Sequence, residues 1–139
     1  MAATIMDNLK KDKDVVVFSR GMVVLFPEPY NPKAVAVTAS HDMIMPNRAA
    51  AQLTEDDFDN DTLVLTMSEL HKQKIYAEYS NAINVYTLNE YIGDTEGEVK
   101  DPYGKGNEEY VKCFDRLYEM IKKAADMIFA DEQTEKGEA

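Results

Sequence analysis

The spacing of apolar residues changes several times along the chain, between continuous runs and helical repeats. Three apolar runs rich in β-branched residues lie at about 14–19, 61–67 and 83–88. Each run is continuous and does not alternate with polar residues, which is typical of strands buried on both faces. The pattern therefore predicts three buried strands.

Between these runs, apolar residues three or four positions apart predict helices. One covers about 2–11, and another begins at Asn31 and Pro32, which form a cap and first-turn pair. A third is capped by Ser68 and reaches about Tyr79, and a long helix occupies the end of the chain. The predicted inward positions are Leu70, Ile75 and Tyr79 on the third helix, and Tyr110, Cys113, Leu117, Met120, Ala124 and Ile128 on the last.

Strands that alternate with helices predict an α/β fold, namely a doubly wound parallel sheet with helices on both faces. The chain length suits one domain, predicted over 1–130, with a charged tail at 131–139. Such folds usually open with a strand that leads into a ligand-binding loop and a helix. This chain opens directly in a helix, so we expect the three-stranded sheet to lack its usual first, central strand.

The composition limits the classes of partner and the cellular compartment that are expected for this chain. The net charge is −11 and the pI about 4.5, which disfavours nucleic acid and anionic membranes as partners because both attract basic surfaces. A single cysteine, Cys113, excludes an internal disulfide and suits a reducing compartment. No apolar run has transmembrane length, and the first residues lack the apolar core of a signal peptide. A cytoplasmic protein is predicted.

The candidate chemistry centres on "DPYG" at 101–104. Proline restricts the residue before it, so Asp101 is held and aimed, either as a reactive carboxylic acid or as part of an ordinary turn. Taken alone, the tetrapeptide is far more typical of a turn. His41 and His71 share no motif and are more typical of surface or hydrogen-bonded histidines than of a metal pair.

Several segments, taken in order, resemble the low-molecular-weight protein-tyrosine phosphatases. The resemblance covers nearly the whole chain, from Met1 to about Phe129. The segments that carry it are "SRGMVVLFPEPYNPKAVAV" (19–37), "AAAQLTEDDF" (49–58), "TLVLTMSELHKQKI" (62–75), "DPYG" (101–104) and "NEEYVKCFDRLYEMI" (107–121).

The resemblance implies a reaction and roles for four residues. In this family a cysteine thiolate attacks phosphorus and forms a phosphocysteine, which water then hydrolyses. Asp101 would be the general acid that protonates the leaving group, and afterwards the base for the water. Pro102 and Tyr103 would line the substrate pocket, and Ser19 would brace the phosphate-binding loop. The implied substrate is a phosphorylated protein or a small phosphate ester, with no metal or other cofactor.

One required element of that reaction is not found in the sequence. The family carries its nucleophile in a Cys-x5-Arg segment that is followed by Ser-Pro-Met-Ala-Glu. The opening Met1-Ala2-Ala3 resembles the Met-Ala-Glu of that run, and Cys113 has an arginine only three residues later. We therefore expect the nucleophile and the phosphate-binding arginine to be absent and the given chain to be inactive, whether through a misplaced start codon or as a shortened paralogue.

Other departures and alternatives accompany this prediction. Two positions at which the family commonly has His and Arg, and which brace the loop there, hold Arg48 and Ala51 in this chain. An alternative is a non-enzymatic interaction module that pairs exposed strand edges with a partner, and a homodimer is one form of this pairing. A different doubly wound domain, such as a receiver, is disfavoured because it gives no reason for "DPYG". The choice between phosphotyrosine and phosphoarginine stays open.

Overall fold

A computed structural model describes residues 1–10, 14–22, 31–45 and 51–138, with the side chains described as far as residue 130. The chain divides into two compact units. The first unit comprises 1–17, 32–46 and 101–139, and the second comprises 18–31 and 47–100.

The described residues form five α-helices, a short 3-10 turn and two strands. They are α1 (Ala2–Lys10), α2 (Pro32–Ser40), the 3-10 turn (Glu55–Asp57), β1 (Val64–Thr66), α3 (Glu69–Glu78), β2 (Val85–Thr87), α4 (Leu88–Tyr91) and α5 (Asn107–Glu138). Helix α2 begins at Pro32, as predicted, since a proline at the first helical position has no amide hydrogen to leave unpaired.

The first unit is helical, with α1 and α2 packed on α5. Ile5 on α1 and Ala34 on α2 are buried. The predicted apolar face of α5 is confirmed, with its last member, Ile128, half-buried. The buried members of that face are Tyr110, Cys113, Leu117, Met120 and Ala124.

The second unit contains the strands. β1 and β2 are parallel, with Val64 opposite Val85 and Thr66 opposite Thr87. This confirms an α/β fold with parallel strands. Val85 and Ile75 on α3 are buried in one apolar cluster with Leu53 and Phe58. On α3, Ile75 is inward as predicted, but Leu70 is 62% exposed, so its predicted inward position is wrong.

Both strands are shorter than predicted because local hydrogen bonds occupy their ends. Asp59 accepts from the Asp61 amide (2.8 Å), and this turn delays β1 until Val64. At the other end, the Ser68 side chain accepts from the His71 amide (3.2 Å) and caps α3, as predicted. Thr87 likewise caps the unpredicted helix α4, since its hydroxyl accepts from the Glu90 amide (3.1 Å).

The predicted strand at 14–19 is wrong. Residues 14–20 have no strand assignment, and the nearest pairing is one parallel bridge between Gly21 and Gln52. Val16 and Phe18 are 71% and 61% exposed, whereas a strand buried on both faces would conceal them. A β-branched run fits a pleated surface, but it becomes a strand only when a neighbouring backbone pairs with it.

Some predictions concern residues that the structure does not describe. Arg48 and residues 23–30 lie outside the described residues. Within the described part of the chain, no helix is both long and apolar enough to cross a membrane.

Candidate active site

Asp101 opens a tight loop in the first unit, directly before α5. Its carboxylate Oδ1 accepts a hydrogen bond from the Tyr103 amide at 3.0 Å. The Lys105 amide donates to the Pro102 carbonyl at 2.9 Å, which closes the turn. Gly104 has a φ of +79°, a conformation that residues with a Cβ rarely adopt. The loop therefore holds one carboxylate oxygen of Asp101 and is exposed to solvent.

The Asp101 carboxylate is one of the groups that affect the pKa of Cys113. Burial raises the pKa of the Cys113 thiol, the positive Met1 amino group lowers it, and the Asp101 carboxylate raises it. Burial in turn lowers the pKa of the Met1 amino group. The Asp101 carboxylate and the Met1 amino group, which stands at the amino end of α1, therefore both act electrostatically on the Cys113 thiol.

Cys113 does not have the environment of a nucleophile. The side chain is buried on the inner face of α5, as predicted for a small apolar residue. A catalytic thiolate requires a lowered pKa and access to substrate. The pKa of Cys113 is instead raised by burial.

Two of the other predicted site residues belong to this loop. Pro102 is half-buried, and Tyr103 is 77% exposed. The Tyr103 backbone positions the Asp101 carboxylate, whereas the role of its ring in a substrate pocket stays a prediction.

Ser19 lies in the second unit and is exposed. Its carbonyl accepts from Arg20 Nη1 at 2.9 Å, and Arg20 Nε lies 3.4 Å from Asp57 Oδ1. The bracing role of Ser19 stays a prediction. Ala51, at one of the departing positions, is also exposed, and its carbonyl accepts from the Gly21 amide at 2.8 Å.

Sequence reasoning missed two contacts of the segment around Asp101. Lys33 Nζ donates to the Lys105 carbonyl at 2.8 Å, across 72 residues of sequence. Upstream, the Glu98 carboxylate accepts from the Glu69 amide at the first residue of α3. No spacing rule links either pair. Only an acidic residue near a helix start is a general signal, and it does not say which helix.

A separate concavity of about 600 Å³ in the first unit is lined by residues that include His41, Phe114 and Tyr118. The His41 ring stacks on Phe114 with centroids 4.1 Å apart. Its Nδ1 lies 3.0 Å from the Val37 carbonyl. These contacts confirm a hydrogen-bonded histidine. His71 is exposed on α3.

The described side chains include His, Cys, Asp and Glu, the usual protein ligands of metal ions. Among them, no three of the types His, Cys, Asp and Glu come together as a metal site. The Asp101 loop offers a carboxyl group that is positioned by the Tyr103 amide.

The chain belongs to the low-molecular-weight phosphotyrosine protein phosphatase family. The family model matches residues 1–136. A curated relative, the low-molecular-weight protein-tyrosine-phosphatase PtpB of Staphylococcus epidermidis, is 34% identical over 107 residues, or 77% of this chain and 75% of the relative. PtpB of Staphylococcus aureus is 43% identical over 77 residues, or 55% of this chain and 54% of the relative.

Solved structures agree with this assignment. The low-molecular-weight protein tyrosine phosphatase of T. tengcongensis superposes with a TM-score of 0.83 at 30% identity, covering 91% of this chain and 88% of that one. The YwlE arginine phosphatase of Geobacillus stearothermophilus superposes with a TM-score of 0.87 at 25% identity, covering 96% and 86%. The chain is thus similar to phosphatases described as acting on tyrosine and on arginine.

Proposed function

We propose that this chain carries the general-acid half of a phosphatase that works through a phosphocysteine. Asp101 protonates the leaving group when phosphorus is attacked, and then takes a proton from the water that hydrolyses the phosphocysteine. An aryl oxide has a conjugate acid of pKa about 10, so its departure is strongly assisted by a positioned carboxylic acid. The substrate class is a phosphorylated protein or a small phosphate ester.

The observation that carries this proposal is the position of Asp101. Its Oδ1 is held by the Tyr103 amide at 3.0 Å, and its charge acts on the same thiol as the Met1 amino group at the amino end of α1. A helix amino end attracts phosphate through its free amide hydrogens and its dipole. A carboxyl group beside it is well placed to reach the oxygen that leaves from a phosphoryl group bound there. Tyr103 and Pro102, in the same loop, would then contact the substrate.

The nucleophile is the missing component. The 139 residues contain no Cys-x5-Arg, and Cys113 is buried with a raised pKa. We propose that these 139 residues correspond to the part of the family domain that follows the phosphate-binding loop. By this proposal the doubly wound sheet lacks its central strand, the domain spans 1–130, and the protein works in the cytoplasm.

The test joins the missing segment to the chain. A strand and a Cys-x5-Arg loop of the kind that the family carries are fused before Met1, and turnover of an aryl phosphate is compared with that of the unmodified 139 residues. We expect turnover only in the fusion, with kcat about 10²–10⁴-fold lower in Asp101→Asn for a phenol leaving group. Phosphoarginine is assayed in parallel to choose between the two substrate types.

Asp126→Asn is the matched control, because Asp126 is an exposed carboxylate on α5 of the same unit. It should leave kcat unchanged. A fusion in which Asp101→Asn is fully active would remove Asp101 from the mechanism. Turnover by the unmodified chain would show that another nucleophile exists.

The nucleotide sequence before Met1 supplies a second test. A reading frame that continues upstream through an apolar strand and a Cys-x5-Arg-Ser-Pro would indicate a misplaced start codon. A stop codon immediately before Met1 would favour a shortened paralogue.

An interaction module is the second candidate function, and the segment at 14–20 favours it. Val16 and Phe18 are large apolar side chains in a segment without strand assignment, and both are mostly exposed. Residues with strong β propensity and no partner strand tend to pair with another chain. A homodimer is therefore proposed for the chain in isolation.

A further inference from the structure

We infer that Lys33 and Glu98 are positioning residues for the Asp101 loop. Lys33 binds the chain just after Asp101, and Glu98, just before Asp101, binds α3. The inference rests on the proposed role of Asp101, and it adds two residues to which the family resemblance assigned no role. Neither residue is placed in contact with substrate. Each acts through the loop that carries the acid.

The downstream anchor joins the loop to α2. Lys33 lies in the first turn of α2, and its Nζ donates to the carbonyl of Lys105, four residues after Asp101. A bond from a charged donor is stronger than one between neutral groups. The same Lys105 donates its own amide to the Pro102 carbonyl (2.9 Å), so Lys33 holds the residue that closes the turn.

The upstream anchor joins the preceding segment to α3. Glu98 precedes Asp101 by three residues, and its carboxylate accepts from the Glu69 amide at the start of α3. A carboxylate at this place satisfies a free amide hydrogen and interacts favourably with the helix dipole. The segment that enters the loop is thereby held at one point within the second unit.

The two anchors leave six residues, 99–104, between them. The loop is exposed, and it has few buried side chains to hold it. A segment of this kind opens locally at low free-energy cost unless specific bonds restrain it. An acid must lie within hydrogen-bond reach of its leaving group, so restraint of the loop bears directly on the reaction.

Amide hydrogen exchange on the 139-residue chain tests the anchors. The Tyr103 amide donates to Asp101 Oδ1 and therefore reports the geometry of the acid itself. The Lys105 amide reports the closure of the turn. In Lys33→Met and in Glu98→Ala, we expect both amides to exchange about 3–10-fold faster, the size expected for loss of one solvent-exposed hydrogen bond.

Conservative and matched variants complete the experiment. Lys33→Arg keeps the cation and the donor, and should return exchange to the parent rate. The controls Lys74→Met and Glu78→Ala change exposed residues of the same types on α3, and should leave both amides unchanged. The amides of Leu117 and Met120 in α5 serve as the measure of global stability.

Each outcome decides the inference. Faster exchange confined to the loop and reversed by arginine supports anchoring. Unchanged exchange in both variants overturns it, as does failure of Lys33→Arg to restore the rate. Exchange that rises equally in α5 shows a global loss of stability and also overturns it. Because no turnover is measured, these results are independent of whether Asp101 acts as an acid.

Discussion

Two apolar segments of this chain predict the same element, a buried strand, but have different structures. "DTLVLTM" at 61–67 contains β1, which pairs with β2 in parallel register. "DVVVFS" at 14–19 is equally apolar and β-branched, but it has no strand assignment. Val85, in the paired strand β2, is 1% exposed, whereas Val16 is 71% exposed.

The difference shows what a β-branched run specifies. Side-chain shape favours a pleated backbone, but the strand itself depends on hydrogen bonds to a neighbour and on a surface that covers its faces. β1 has both, through β2 and through the cluster of Ile75, Leu53 and Phe58. The run at 14–19 meets neither condition in the described part of the chain.

The largest expected effect tests this comparison with one residue type. Val85→Ala should lower the free energy of unfolding by about 2–3 kcal/mol, because it removes two buried methyl groups and leaves a cavity. Val16→Ala should change it by less than about 0.5 kcal/mol, because the side chain is exposed. Urea unfolding measures both. Equal losses would mean that 14–19 is a buried strand in solution.

A smaller effect concerns what fixes the end of β1. Ser68→Ala removes the acceptor for the His71 amide and should cost about 1 kcal/mol, the usual value of a helix N-cap. Thermal and urea unfolding measure this loss. Ser80→Ala, an exposed serine beyond α3, is the control and should be neutral. A neutral Ser68→Ala would show that the cap does not stabilise the strand-to-helix junction.

The third prediction concerns self-association and not stability. Sedimentation should show a mass that rises with concentration for the parent chain and stays monomeric for Val16→Lys, because a charge opposes pairing of apolar edges. Both chains should unfold within about 0.5 kcal/mol of each other.

Ile44→Lys is the control for this experiment. Ile44 is 86% exposed and lies outside the 14–20 segment, so this change should leave association unaltered. A parent chain that is monomeric and melts at a concentration-independent temperature would contradict the proposed homodimer.

The smallest expected effect is a pH dependence of stability that arises from Cys113 in the first unit. Burial raises the pKa of Cys113, so the folded chain retains this proton at a pH where the unfolded chain has released it. The contribution of this group to the free energy of unfolding is therefore complete below the ordinary cysteine pKa of about 8.5. It decreases as the pH rises above that value. The stability difference between parent and Cys113→Ala should shrink from neutral to alkaline pH. A difference that grows would contradict the buried neutral thiol.

How much the sequence could predict depended on the range of the interactions involved. The amino end of α2 at Pro32, the Ser68 cap and the buried face of α5 follow from residues three or four positions apart, which share a helix face whatever surrounds them. The turn at Asp101 is local as well, because the proline of the tetrapeptide restricts the backbone and the glycine allows a positive φ. The role of Asp101 as an acid follows only from the resemblance to the family.

Only the tertiary structure decided which apolar runs became strands, and what holds the Asp101 loop. The bond from Lys33 to Lys105 spans 72 residues, and the Glu98 contact with α3 spans 29. Val16 and Val85 are chemically identical, yet one is exposed and the other buried. Local sequence determines the preferences of a segment, whereas burial and pairing depend on neighbours that only the folded chain brings near.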